Sequence, residues 1–152
     1  MKKLDFGQAL QLLGNAGVII GILLLAYELN QNREMMEAQT RHELSSAIAD
    51  QLLSVAANPE LNNFIFRVNA GEPLTEEEQV RYVTFAFSRL RTWEDAHYQY
   101  RVGLYDEAEF AAQREGWRGF IQQSPGMRDF WDQNRAAFSP EFAAEIDALI
   151  SD

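Results

Sequence analysis

From residue 16 to residue 27 no side chain is more polar than tyrosine, and the apolar stretch reaches back to Ala9 with interruptions only at Gln11, Gly14 and Asn15. Coiled as a helix at about 1.5 Å per residue, residues 9 to 27 cover about 28 Å, close to the thickness of a bilayer's hydrocarbon core. Phe6 and Tyr27 bracket the stretch as an interfacial aromatic pair would, Lys2 and Lys3 precede it and Glu28 closes it. The pattern predicts a single membrane crossing within residues 1–29.

Three other readings fit the segment less well. A cleavable leader needs a small-x-small site, and residues 24 to 28, Leu-Leu-Ala-Tyr-Glu, supply none. A helix lying flat on the membrane needs a polar face, and residues 16 to 27 are apolar all round. A helix buried in a soluble core is disfavoured by Gly7, Gly14, Gly17 and Gly21, each costing about 1 kcal/mol in a helix in water yet common in membrane helices. Gly14, Gly17 and Gly21 share one helical stripe, and Gly17-Val-Ile-Ile-Gly21 has the small-xxx-small spacing that lets two backbones approach in lipid. An amide at Asn15 would find its partner on another helix. Homo-oligomerisation through Gly14, Asn15, Gly17 and Gly21 is therefore expected. The cationic residues on the two flanks, Lys2 and Lys3 against Arg33 and Arg41, leave the orientation open.

Beyond residue 30 the spacing is helical throughout and nowhere alternates long enough for a strand, so the fold class is all-α. The first helix should run on through residues 30–57, since neither Gly nor Pro intervenes before Asn58-Pro59, with Leu44, Ile48, Leu52 and Val55 as its apolar stripe. A compact aromatic-rich helical bundle should follow over residues 58–152. Pro59 opens a short helix, and Thr75 with Glu78 forms a capping box for a long one ending at Gly103. Val80, Tyr82, Val83, Phe85, Phe87, Leu90, Trp93, Tyr98 and Tyr100 surround that helix and place it centrally. Asp106 starts the next, with Phe110, Trp117, Phe120 and Ile121 inside. Ser124-Pro125-Gly126 breaks it, residues 127 to 137 form another, and Ser139-Pro140 starts the last, carrying Phe142, Ile146 and Leu149.

Net charge is −10, from 13 Lys and Arg against 23 Asp and Glu, the wrong sign for neutralising phosphates, so no nucleic-acid partner is expected. The absence of cysteine removes disulfides, thiolate nucleophiles and thiolate metal sites. No cofactor and no catalytic residue is indicated: nucleophile elbows, phosphate-cradling loops and His-Glu-x-x-His are all missing. The one suggestive cluster is Trp93-Glu94-Asp95-Ala96-His97-Tyr98, where Glu94 and His97 have the spacing of bundle metal ligands. With His42 and His97 the sole histidines, a di-metal centre is excluded by count, leaving a mononuclear site with one distant carboxylate. Two readings stand beside it. Either Glu94 faces inward and pairs with Arg91, Arg101, Arg67 or Arg118 in a hydrogen-bonded network that His97 joins, or Trp93, Glu94, His97, Tyr98 and Arg101 converge on a small-ligand pocket.

The order of a short apolar anchor, Ala-Tyr-Glu-Leu-Asn-Gln-Asn-Arg at 26–33, Ala-Gln-Thr-Arg at 38–41, Trp-Glu-Asp-Ala-His-Tyr-Gln-Tyr-Arg-Val-Gly-Leu at 93–104 and Phe-Ser-Pro at 138–140 resembles a widespread group of small bacterial single-pass membrane-anchored helical proteins of uncharacterised function. The resemblance covers nearly the whole chain and implies an anchor in the bacterial inner (cytoplasmic) membrane plus a helical domain, with no reaction attached. The flank after the anchor is less basic here than in that group, so the side of the domain stays open. The expected partners are the lipid bilayer, further copies of the chain and other membrane proteins. The expected role is a membrane-tethered, self-associating scaffold or interaction module, with a small-ligand or metal-binding sensor or enzyme as its rival.

Overall fold

Helix α1 extends over Phe6–Ala56, 51 residues. The computed structural model describes residues 6–151, so Lys2 and Lys3 lie outside the described residues. Five further α-helices follow: α2 (Pro59–Asn69), α3 (Glu76–Arg101), α4 (Glu107–Gln123), α5 (Pro125–Asn134) and α6 (Pro140–Ser151), with one 3-10 turn at Arg135–Ala137. The described residues contain no strand, and the fold is all-α. The chain divides into two compact units, Met1–Ala38 and Gln39–Asp152.

In the first unit α1 is the one described helix long and apolar enough to cross a membrane. Its most apolar 18-residue window has a mean hydropathy of 2.1, and none of that window is buried. Every large apolar side chain from Val18 to Leu25 is exposed, although burying one is worth about 1.5–3 kcal/mol. Polar residues take over after Tyr27 and bond along the helix at i,i+4: Gln31 Nε2 donates to the Tyr27 hydroxyl (2.9 Å) and Arg33 pairs with Glu37 (2.9 Å).

In the second unit the helix ends follow local chemistry. Asn58 caps α2 by accepting from the Leu61 N–H. Thr75 and Glu78 form the capping box of α3: the Thr75 hydroxyl accepts from the Glu78 N–H (3.2 Å) and the Glu78 carboxylate from the Thr75 N–H (2.9 Å). After α3 the chain turns at Gly103, whose φ of +75° suits a residue without Cβ. Asp106 caps α4 through the N–H groups of Ala108 and Glu109.

The core is built from rings. Trp93 of α3 stacks on Trp117 of α4, centroids 5.1 Å apart. Phe142 of α6, fully buried, sits among Trp117, Trp131 and Phe138. Leu90, Ile146 and Leu149 are likewise closed off from solvent. The expected central position of α3 holds for Tyr82, Leu90 and Trp93, whereas Val80 and Tyr98 point outward at 66% and 56% exposure.

Two further expectations are corrected. On α1, Leu44 is buried but Leu52 is exposed, because the stripe at 44, 48, 52 and 55 drifts around the helix and leaves Leu52 at the edge of the face that packs. The helix before Ser124-Pro125-Gly126 does end there, at Gln123, but Ser124 alone separates it from the next, which starts before residue 127. Proline at the first helical position costs no hydrogen bond, so α5 begins at Pro125, and it ends at Asn134 in a 3-10 turn rather than at residue 137. Gly126 is required there by close approach, since a Cβ would come within 2.5 Å of Val68 Cγ1 and 2.8 Å of the Tyr82 hydroxyl.

Candidate functional site

The last two turns of α3 put Glu94, His97, Tyr98 and Arg101 along one concavity of about 530 Å³ that Ser139 and Glu141 complete from the start of α6. Trp93 is not part of it. Its ring lies in the aromatic core between Trp117 and Phe120 and faces a different cavity.

Glu94 is held on both oxygens. One accepts from the Ser139 N–H at 2.7 Å and the other from the Arg91 guanidinium, which also donates to the Ala137 carbonyl at 2.8 Å. The Ser139 carbonyl takes the first helical bond of α6, from the Ala143 N–H at 2.8 Å. Glu94 thus binds a backbone donor at the N-terminal end of α6, where a negative charge is favoured. Partial burial alone would raise its carboxyl, but Ser139 and Arg91 hold it below the ordinary 4.5. Of the four arginines the sequence offered, Arg91 is the partner.

His97 is 7% exposed and packs between the rings of Phe110 and Phe142, at 6.0 and 5.9 Å. Burial pushes the imidazole below its ordinary 6.5, with Glu145 pulling the other way. Arg101 meets Glu141 at 3.3 Å, and Tyr98 stands on the rim. Among the described residues no three His, Asp or Glu side chains are grouped to hold a metal ion. The cluster ties α3 to α6, with one hydrogen bond already accepted by each Glu94 oxygen.

The linkage follows from these shifts. A depressed His97 favours the neutral ring in the fold, so stability present above pH 6.5 declines as the unfolded chain protonates below it. A depressed Glu94 adds stability above pH 4.5 that is lost as pH falls through its lower folded value. The melting temperature, followed by tryptophan fluorescence, should therefore fall in two stages on acidification. All three tryptophans lie beyond residue 90 and report on the second unit alone. Glu94→Gln should lower stability at pH 7 by about 1.5–3 kcal/mol, the worth of a charged hydrogen bond, and should flatten the lower stage. It should not abolish that stage, because Asp147 and Glu78 are depressed too. An unchanged lower stage in the variant would count against the assignment.

A larger cavity, about 710 Å³, lies between the end of α1, α2 and α3. Leu61, Phe64, Val80 and Phe85 give it apolar walls, and Gln51, which donates to the Thr92 hydroxyl at 2.6 Å, lies at its α1 side. Arg89 lines both this cavity and the neighbouring one against Trp93 and Trp117. Its guanidinium carbon sits 4.4 Å from the centroid of Phe120 and 5.4 Å from that of Phe85. The Nε is buried without an acceptor, and burial lowers the guanidinium from its ordinary value. Arg89 belongs to no motif of the sequence. The available signal was its place four residues after Phe85, which sets an arginine over a ring on the same helical face.

On α1, Gly14, Asn15 and Gly17 are exposed and Gly21 is half-buried, and a Cβ at any of the three glycines would meet nothing within 4 Å. Comparison with protein-family models, with curated proteins and with solved structures gives no match.

Proposed function

We propose that this chain is a membrane-tethered helical module that acts as a scaffold or interaction partner rather than as a catalyst. Residues 1–29 span a bacterial inner membrane once, and the helical bundle beyond them is the working part. The observation that supports this most is the wholly unburied apolar window of α1. Contiguous apolar surface of that size is unstable against water unless lipid or protein covers it.

Self-association completes the proposal. The stripe of Gly14, Gly17 and Gly21 has no Cβ to hold a second helix away, and Asn15 beside it is an amide that hydrocarbon would leave unsatisfied. Light scattering on the detergent-solubilised chain at micromolar concentration should give a dimer or larger species, and Gly17→Leu should shift it toward monomer. A monomer in the parent chain, or an oligomer indifferent to Gly17→Leu, would remove this half of the proposal and leave the tether standing.

A further inference from the structure

We propose that the cavity between α1, α2 and α3 binds an organic monocarboxylate with an apolar body, its carboxylate seated on Arg89. Eleven arginines lie among the described residues. Nine meet a carboxylate within 4.0 Å, and Arg128 donates to the carbonyls of Ile121 and Gln122. Arg89 meets neither kind of acceptor, in a chain with ten more negative than positive charges. A partly buried cation without a counter-ion is costly, and this one stands without one in a chain rich in carboxylates.

The surroundings define what would sit there. Phe85 and Phe120 hold the guanidinium over their ring faces, which fixes its plane for a two-pronged contact with an anion. Arg67, Arg81 and Arg89 line the cavity together with Glu60 and Glu78. Arg67 is already taken by Glu72 and Glu78, and Arg81 by Glu77. Arg89 is the one lining arginine left without a carboxylate, so a single carboxylate answers its single charge, whereas a doubly charged phosphate would bring a second negative charge beside Glu60 and Glu78. Leu61, Phe64 and Phe85 offer the ligand's body an apolar wall, and about 710 Å³ falls within the usual size of a small-molecule site.

The test uses the full-length chain in nanodiscs, equilibrium dialysis of radiolabelled decanoate, and empty nanodiscs as the baseline. Decanoate should bind saturably at one per chain above that baseline. Neither 1-decanol, which keeps the body, nor acetate, which keeps the charge, should compete at equal concentration. Arg89→Gln should weaken binding by about ten- to a hundredfold, the worth of one charged hydrogen-bonded contact. Thr84→Trp alters an exposed residue on the cavity wall and should block binding by filling the space. If Arg89→Gln does not fold, Thr84→Trp decides: lost binding supports the site, and retained binding overturns it. No saturable uptake above empty nanodiscs, equal binding by folded Arg89→Gln, or full competition by 1-decanol or by acetate would each overturn it. None of these outcomes depends on self-association through α1.

Discussion

Phe142→Ala should lower the melting temperature of the helical domain on the order of 20 °C. Phe142 is at 0% exposure and touches rings from three other parts of the second unit: His97 of α3, Trp117 of α4, and Trp131 and Phe138 ahead of α6. Removing a buried phenyl group costs about 3–5 kcal/mol, from lost transfer energy and from the cavity left behind. Stiff, mutually stacked rings collapse poorly into that cavity, which places the cost toward the upper end. Whole domains are stable by about 5–15 kcal/mol, and for one of about a hundred residues each kcal/mol moves the midpoint by about 4–8 °C. Phe66→Ala is the control, since Phe66 is 66% exposed and its loss should stay within about 0.5 kcal/mol. Tryptophan fluorescence melts distinguish the two. A shift below about 5 °C for Phe142→Ala would mean that the core is not organised around α6.

The other large effect concerns α1. Ile20→Arg combined with Leu24→Arg places two guanidinium groups in the middle of the apolar window, at a penalty of about 2.5–3.5 kcal/mol each on the insertion scale. The pair should shift the chain between membrane and water by on the order of 10⁴-fold. These positions are 57% and 59% exposed, so arginine there displaces no core contact. The variant should keep the domain's melting behaviour while losing membrane retention. Lost folding together with lost retention would show that the window does structural work inside the chain instead.

The parts of this architecture that the sequence discloses are those decided locally. A capping box, a proline at a first helical position, an Asp that bonds two N–H groups and a glycine at positive φ each act within a few residues, and α2, α3, α4 and α6 begin where those signals stand. The inward set Phe142, Ile146 and Leu149 follows from spacing alone. What escaped was decided between helices. Pro125 could be a breaker or a starter, and Val68 and Tyr82 pressing on Gly126 accompany the second outcome. Trp93 shares a short motif with Glu94 and His97, yet it turns to Trp117 while Glu94 turns to Ser139, because adjacent residues on a helix project about 100° apart. Arg89 looked like one charge among many, and only the positions of Phe85 and Phe120 reveal it as the arginine without an acceptor.

The most direct test is to express the full chain in a bacterium, wash the isolated membranes with alkaline carbonate and sediment them. The tethering proposal predicts that the chain stays in the pellet and comes free only with detergent, with the doubly substituted Ile20→Arg, Leu24→Arg chain moving to the supernatant. Recovery of the unaltered chain in the carbonate supernatant would contradict it.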